Sequence, residues 1–124
     1  MKILGIDDNI EINKLLNTIV TSDGHEFSQV TEGKKGLELI RQGGFDAVLL
    51  DIAMPDFSGM DVINALIEDN KIKDTPIVLF SASSISEDDI QEMIAKGVYD
   101  FIKKPASISE ILMVLKKIEK ENNA

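Results

Sequence analysis

The chain has 124 residues, enough for one domain that buries roughly two-thirds of its unfolded surface in a single core. It contains no cysteine, which excludes disulfides, thiolate catalysis and cysteine metal sites. Its formal net charge of -9 argues against direct binding to nucleic acid or to an anionic membrane, since no basic patch offsets the repulsion from phosphate groups.

The location expected from the sequence is the cytoplasm. A chain without cysteine fits a reducing compartment. No apolar run approaches the roughly 18 residues of a membrane span, and the first six residues do not resemble a signal peptide.

The first half of the chain predicts two strands and two helices. A short apolar strand over residues 2–6 runs into the sequence Asp7-Asp8-Asn9, and either Asp8 or Asn9 is expected to cap the helix that follows. Gly24 is expected to end that helix. A weak, polar strand over 26–30 suggests a sheet edge, and a helix is predicted over 35–42. The inward positions of the two helices are predicted to be Ile12, Leu15, Leu16, Ile19 and Val20, then Leu37 and Ile40.

The centre of the chain is a wholly apolar run over residues 47–50 that ends on Asp51. Such a run is typical of a strand buried on both faces. Pro55 and Gly59 then break the chain before the next helical pattern begins. A carboxylate at the end of a central parallel strand lies where open α/β sheets bind ligands, although Asp51 could also merely end its strand.

The second half predicts three helices and two strands. Each helix follows a serine that stands three residues before an acid, which is the spacing of a capping box. The pairs are Ser58 and Asp61, Ser86 and Asp89, and Ser107 and Glu110. Strands are predicted over 77–81 and 98–102, and the polar tail over 119–124 is expected to fray. The inward helix positions are predicted to be Met60, Ile63, Leu66 and Ile67, then Ile90, Met93 and Ile94, then Ile108, Ile111, Leu112, Leu115 and Ile118.

Five strands therefore alternate with five helices through short connections. This alternation predicts an α/β domain with a parallel sheet covered by helices on both faces and joined by right-handed crossovers. Residues 1–124 are expected to form this one domain, with no second domain.

Polar residues follow the ends of four of the predicted strands. They are Asp7 and Asp8, Asp51, Ser81 and Lys104, and the parallel arrangement brings them to one edge of the sheet. Two carboxylates near 5 Å apart repel by roughly 3 kcal/mol at an effective dielectric constant of 20, so three of them call for a proton or a cation. Hard oxygen ligands suit Mg²⁺. A carboxylate that faces Mg²⁺, an ammonium and a hydroxyl has the groups needed to accept a phosphoryl group.

These residues resemble the response-regulator receiver domains of two-component signalling, and among them the chemotaxis regulators. The resemblance covers essentially the whole chain. It is carried by Asp7-Asp8, by Asp51-x-x-Met54-Pro55-x-x-x-Gly59, by Ser81-Ala82 and by Lys104-Pro105. It implies a doubly wound, flavodoxin-like fold with five parallel strands in the order 2-1-3-4-5 and five helices.

The resemblance also implies a role for each site residue. Asp51 would be the phosphoacceptor, and Asp7 and Asp8 would hold Mg²⁺ together with Asp51 and the backbone carbonyl of Ala53. Ser81 would bind a phosphoryl oxygen. The lysine that the family has at this site would be Lys104, and the peptide bond between Lys104 and Pro105 would be cis.

A switch position is implied as well. Phe101 stands three residues before the lysine, where the family often has tyrosine, and it would act with Ser81. Three simpler interpretations stay open: Phe101 as a core residue, Ser81 as a strand end, and Lys103 as the functional lysine. The only histidine, His25, is expected to be exposed and to take no part in phosphotransfer or metal binding.

The function implied is a phosphorylation-dependent switch. Asp51 would receive its phosphoryl group from a sensor histidine kinase or a histidine phosphotransfer protein. Phosphorylation would then change the binding of a downstream protein in trans, at the face formed by the fourth helix, fifth strand and fifth helix. Catalysis would be limited to phosphorylation and dephosphorylation of Asp51 itself.

Two other classes fit the residues less well. A phosphatase or transferase of the haloacid-dehalogenase type needs a second aspartate two residues after the nucleophile, where this chain has Ala53, and it needs room for a cap domain. A flavodoxin-like electron carrier would need hydroxyls and amides around the flavin phosphate, whereas the first loop here is acidic.

Overall fold

The computed structural model describes residues 1–81, 85–104 and 106–122, within which strands and helices alternate. The strands are β1 (Lys2–Ile6), β2 (Glu26–Val30), β3 (Ala47–Asp51), β4 (Ile77–Ser81) and β5 (Asp100–Lys103). The helices are α1 (Ile10–Ser22), α2 (Gly33–Gln42), α3 (Gly59–Glu68), α4 (Glu87–Lys96) and α5 (Ile108–Asn122). None of these helices is both long enough and apolar enough to cross a membrane.

All neighbouring strands are parallel, and their order is β2-β1-β3-β4-β5. The predicted flavodoxin-like topology is therefore confirmed. Because the chain changes direction across the sheet between β1 and β3, the carboxyl ends of these two strands border the crevice where such folds bind ligands. Asp51 is paired with Phe80 in the register of β3 and β4.

The core has two layers, one on each face of the sheet. Helices α1 and α5 cover one face, and α2, α3 and α4 cover the other. Every residue of β3 and β4 is buried, as expected for strands with helices on both sides. The backbone at the ends of these two strands is therefore held from both faces.

Serine and asparagine caps begin four of the helices. Asn9, and not Asp8, caps α1: its Oδ1 accepts hydrogen bonds from the amides of Glu11 and Ile12 at 3.0 and 3.3 Å. The serine hydroxyls at the three predicted capping boxes each accept from the amide three residues on. These caps satisfy amides that a helix start leaves without a partner.

Three element boundaries differ from the sequence prediction. α2 starts two residues earlier, at Gly33, and β5 runs over Asp100–Lys103 instead of 98–102. α5 continues to Asn122, although fraying was expected from residue 119. Its last turns are held because the hydroxyl of Tyr99 donates to Glu121 at 2.7 Å and the Lys117 ammonium lies 5.5 Å from the Tyr99 ring centre.

Three residues predicted to face the core are exposed instead. Leu15, Ile94 and Ile108 are 53, 37 and 57% exposed. On α1 a buried asparagine, Asn13, lies on the core side together with Leu16, Ile19 and Val20. Apolar periodicity locates the apolar side of a helix, but the width of the stripe that the sheet covers depends on how the helix docks.

The expectation that His25 is exposed was wrong. Its side chain is 5% exposed. Its Nδ1 lies 3.0 Å from the Met1 amine and 3.8 Å from Glu119, and its Nε2 lies 3.2 Å from Asp23. The turn before an edge strand is covered here because α5 reaches across it.

Candidate functional site

Polar side chains from β1, β3, β4 and β5 meet at the carboxyl edge of the sheet. The residues predicted there are Asp7, Asp8, Asp51, Ser81 and Lys104, and the structure brings the three carboxylates and the lysine into contact range. Asp7, Asp51 and Ser81 are buried, whereas Asp8 is exposed at the rim. Solvent therefore reaches this site from the side of Asp8.

The three aspartates form a compact set of oxygen donors. Asp7, Asp8 and Asp51 each offer a carboxylate oxygen, and these oxygens all lie within 4.8 Å of one another. Among the described residues the group contains carboxylates alone, without histidine, and such hard oxygen ligands fit Mg²⁺. The Ala53 carbonyl, the fourth ligand implied by the resemblance, stays a prediction.

Asp7 and Asp8 differ in how their carboxylates are used. Asp7 Oδ1 accepts from the amide of Asn9 at 2.9 Å, and Asp7 Oδ2 accepts from Lys104 Nζ at 2.9 Å. The Asp8 carboxylate accepts no hydrogen bond from the part of the chain that the structure describes. Asp8 thus has more lone pairs available for a cation than Asp7.

Lys104 links two of the carboxylates. Its Nζ lies 2.9 Å from Asp7 Oδ2 and 3.4 Å from Asp51 Oδ1. Lys103 is the strand partner of Ser81 and is exposed, while the Lys104 amide donates to the Ser81 carbonyl at 2.8 Å. Of the two lysines, it is therefore Lys104 whose ammonium reaches the acidic group.

Burial and charge shift the pKa values of both partners. Burial raises the pKa of Asp51 above the ordinary 3.8, and the charge of Asp7 raises it further, against the opposing effects of Lys104 and the Ala53 amide. Burial by itself would lower the pKa of Lys104, but its hydrogen bond to Asp7 and the charges of Asp7 and Asp51 outweigh that effect and raise it. Lys104 is consequently a permanent cation at neutral pH.

The loop after Asp51 is shaped by close backbone packing. The amide of Ala53 donates to Asp51 Oδ1 at 3.3 Å. Asp56 has a positive φ of 65°, and the amide of Phe57 donates back to the Pro55 carbonyl at 2.7 Å. A Cβ atom on Gly59 would lie 2.3 Å from the Asp51 carbonyl oxygen, so only glycine lets α3 begin this close to the end of β3.

Phe101 and Ser81, the predicted switch residues, lie on neighbouring strands. Phe101 is half-buried on β5, paired with Leu79 of β4, and packs against the core layer under α2, α3 and α4. This placement fits both a switch residue and a plain core residue, so the switch role stays a prediction. Ala82 and Pro105 of the predicted motifs lie outside the described residues, and the cis bond before Pro105 stays a prediction.

The sequence analysis missed one residue of this site, Asn13. It is 2% exposed, and its Nδ2 donates to the backbone carbonyl of Asp7 at 2.9 Å. The inward positions predicted for α1 were all apolar, and Asn13 was not among them. The available signal was position, because Asn13 stands three residues before Leu16, on the side of the helix that faces the core.

The sequence matches the response regulator receiver domain family over residues 3–116. The chain belongs to the response regulator receiver domains. Receiver domains are the phosphoryl-accepting signalling switches of two-component systems, bind Mg²⁺ at an acidic pocket and are in general not enzymes. This membership excludes the haloacid-dehalogenase and electron-carrier alternatives.

Individual relatives agree with this assignment. The uncharacterized transcriptional regulatory protein YcbL of Bacillus subtilis is 30% identical over 108 residues, which are 86% of this chain and 45% of that protein. The receiver domain of Francisella response regulator 1452 superposes with a TM-score of 0.87 at 27% identity and covers 98% of both chains. The response regulator TrrA of Thermotoga maritima, solved with Mg²⁺ and BeF, gives 0.80 at 27% identity, over 94% of this chain and 97% of that one. The receiver spans less than half the length of the curated relatives it matches first.

The raised pKa of Asp51 predicts how the stability of this receiver depends on pH. The folded protein binds the Asp51 proton more tightly than the unfolded chain, so ionisation of Asp51 lowers the free energy of unfolding as pH rises. Asp51→Asn removes that charge, and Lys104 keeps Asp7 as a partner. With metal chelated at pH 7, we expect Asp51→Asn to raise Tm by about 2–6 °C, the change that roughly 1 kcal/mol produces in a domain of this size.

The rise in Tm caused by Asp51→Asn should shrink as pH falls toward 3.8, since Asp51 of the wild type is then itself protonated. Thermal unfolding followed by circular dichroism from pH 4 to 8 measures it. Asp74→Asn, at an exposed turn, is the matched control. A lower Tm for Asp51→Asn at pH 7 would contradict the assignment of charge strain to Asp51.

Proposed function

We propose that this receiver accepts a phosphoryl group on Asp51 from the phosphohistidine of a sensor kinase or a histidine phosphotransfer protein, in a Mg²⁺-dependent reaction. The observation that carries the proposal is the position of the Asp51 carboxylate, at the end of β3 between two other carboxylates and the Lys104 ammonium. An Asp51 oxygen attacks phosphorus, and the phosphorus–nitrogen bond to the histidine breaks with its electron pair left on the imidazole. Hydrolysis of the phosphoryl group on Asp51 by water would end the signal.

The donor set fits Mg²⁺, which neutralises phosphoryl oxygens when bound. We assign its protein ligands to Asp8, Asp51 and the Ala53 carbonyl, with Asp7 beside them. Asp8 is the stronger candidate for direct contact, because both oxygens of Asp7 already accept hydrogen bonds. Three carboxylates held within 4.8 Å of one another supply the negative charge that attracts the cation.

Lys104 and Ser81 complete the proposed site. The Lys104 ammonium lies 3.4 Å from Asp51 Oδ1, and it would pair with an oxygen of the phosphoryl group once Asp51 carries it. Ser81 ends β4 beside Asp51 and would donate its hydroxyl to another of these oxygens. In this account the chain holds and neutralises the transferred group, which is most of what phosphoryl transfer requires.

Phosphorylation should be specific to Asp51 and should depend on Mg²⁺. Incubation with a small acyl phosphate is expected to raise the intact mass by one phosphoryl group, and both Asp51→Asn and chelation of Mg²⁺ should abolish the change. Intact-mass spectrometry measures it. An unchanged mass shift in Asp51→Asn would show that another residue accepts the group.

Asp8→Ala is the companion variant. It should weaken Mg²⁺ binding more than Asp51→Asn does, since it removes the carboxylate that accepts no hydrogen bond within the described chain. Calorimetric titration compares the two. Wild-type Mg²⁺ affinity in Asp8→Ala would remove Asp8 from the ligand set.

We propose that the signal leaves the site through Ser81 and Phe101 to the face formed by α4, β5 and α5. Ser81 would move toward the phosphoryl group and open room that the half-buried ring of Phe101 fills from inside. This is a two-state packing change biased by one local charge event. A downstream protein that binds this face in trans would read it.

Phosphorylation should therefore change the amide chemical shifts of residues 99–102. Amides of β2, at the far edge of the sheet, serve as the internal control and should move little. Two-dimensional NMR of the phosphorylated and unmodified protein measures both groups. Changes confined to residues beside Asp51 would contradict the switch.

An apolar groove beside the site is the proposed docking surface for the phosphodonor. The groove lies between α1 and α5 and has a volume of about 410 Å³. It is lined by Lys104 and by six apolar residues, Ile12, Leu15, Leu16, Phe80, Ala106 and Ile111. Of the lining residues, Leu15 is 53% exposed, so part of this apolar surface faces solvent. Because the donor histidine must come within bonding distance of Asp51, a donor protein has to lie over this region.

Leu15→Glu should slow phosphorylation by a protein donor about tenfold, the effect of losing ~1.4 kcal/mol of docking free energy. It should leave phosphorylation by a small acyl phosphate unchanged, since that donor needs no docking. Met113→Glu is the matched control, because Met113 is exposed on α5 and does not line the groove. Single-turnover rates of phosphoryl transfer measure these effects. The groove would be excluded as the docking surface if Leu15→Glu slowed transfer equally from the protein donor and from the acyl phosphate, or if Met113→Glu slowed transfer as much as Leu15→Glu.

We propose that this receiver domain acts in the cytoplasm and binds proteins. The charge of -9 supports a protein partner over nucleic acid or a membrane surface. Gel-shift assays with nucleic acid and sedimentation assays with vesicles, both at low salt, test the preference for a protein partner. Salt-dependent binding in either assay would contradict that preference.

A further inference from the structure

Asn13 ties the first acidic loop to helix α1 and to strand β2. Its Nδ2 donates to the Asp7 carbonyl at 2.9 Å and lies 3.5 Å from the Val30 carbonyl, at the limit of a hydrogen bond. The amide of Asp7 donates to the same Val30 carbonyl at 3.2 Å. One buried side chain therefore joins the ends of two strands at the point where the acidic loop begins.

The loop is also held at its other end. Asn9 donates its amide to Asp7 Oδ1 at 2.9 Å, and its side chain caps α1. Asp8 thus lies between two residues that are both fastened to α1, while its own carboxylate accepts no hydrogen bond within the described residues. The position of the Asp8 carboxylate depends on how rigidly its neighbours hold its backbone.

Stability alone does not explain why residue 13 is an asparagine. Its Oδ1 is buried and has no hydrogen-bond partner among the residues that the structure describes. A buried acceptor left without a partner lowers stability. A leucine of similar size would remove this acceptor on a helix side already lined by Leu16, Ile19 and Val20, but it would leave the Asp7 carbonyl without the Nδ2 donor. The donor on Nδ2 is what asparagine supplies and leucine lacks.

We infer that Asn13 is a positioning residue that makes the acidic cluster selective for Mg²⁺ over Ca²⁺. It acts through Asp7, by holding the backbone from which the Asp8 carboxylate projects. Mg²⁺ demands near-ideal octahedral geometry at short distances, whereas Ca²⁺ accepts 6–8 oxygens at longer and more variable ones. A rigid loop therefore favours the smaller ion, and a loosened loop loses Mg²⁺ affinity first. The inference rests on the proposed Mg²⁺-dependent function.

The test compares Asn13→Leu with Asn17→Leu. Asn17 is the same residue type one turn further along α1, exposed to solvent. Calorimetric titrations with Mg²⁺ and with Ca²⁺ give the affinities, and thermal unfolding with metal chelated gives the stability. We expect Asn13→Leu to lose roughly tenfold in Mg²⁺ affinity, within the range seen when residues supporting metal ligands are changed.

For Ca²⁺ the expected loss is less than about threefold, because its coordination tolerates displaced ligands. The metal-free Tm should stay close to that of the wild type. The substitution removes one unpaired buried acceptor, Asn13 Oδ1, but leaves the Asp7 carbonyl without its donor. Asn17→Leu should match the wild type in all three measurements. A merely structural asparagine would instead lower Tm and leave the ratio of the two affinities unchanged.

Equal losses for both ions, or unchanged Mg²⁺ affinity in Asn13→Leu, overturn the inference. If Asn13→Leu does not fold, Asn13→Ser carries the same comparison, because its hydroxyl is too short to reach the Asp7 carbonyl. A wild type that binds no Mg²⁺ would instead show that the proposed function has failed. The titration of the wild type with Mg²⁺ therefore distinguishes a failure of the inference about Asn13 from a failure of the proposed function.

Discussion

The structure of the site depends on one balance of charge, between three carboxylates and a single ammonium. Asp7, Asp8 and Asp51 lie within 4.8 Å of one another, and Lys104 contacts two of them. Three negative charges and one positive charge leave a net charge of -2, which a divalent cation matches. Lys104 makes the cluster tolerable without a cation, and in the proposed function the same ammonium would hold the incoming phosphoryl group. One residue would then serve both the stability of the resting site and its chemistry.

The fold keeps these like charges together. β3 and β4 are covered on both faces, so the backbone that carries Asp51 and Ser81 is fixed by the core. α3 begins against the end of β3, where Gly59 leaves room for the Asp51 carbonyl. A carboxylate on a mobile loop would turn away from its neighbours and relieve the repulsion. On this rigid edge the repulsion from Asp7 persists, and it adds to the effect of burial, which is the main reason why the pKa of Asp51 is raised.

Several features of the site lower stability. They include the buried Asp51 carboxylate, the positive φ of Asp56 and the unpaired Oδ1 of Asn13 among the described residues. All three lie in or beside the segments that carry the acidic cluster. Local rules of stability are most often broken at functional sites, and a region with stored strain is also one that a single phosphoryl group can shift.

The sequence by itself determined the alternation of five strands and five helices, because apolar runs, helical periodicity and capping serines are local signals. It also placed Asp7, Asp8, Asp51, Ser81 and Lys104 together, since the carboxyl ends of parallel strands share one edge. Only the tertiary structure decided which polar residues are buried. The core position of Asn13, the burial of His25 beneath α5 and the exposure of Leu15 depend on how each helix docks on the sheet. Docking is set by contacts between residues far apart in the chain, which local patterns do not encode.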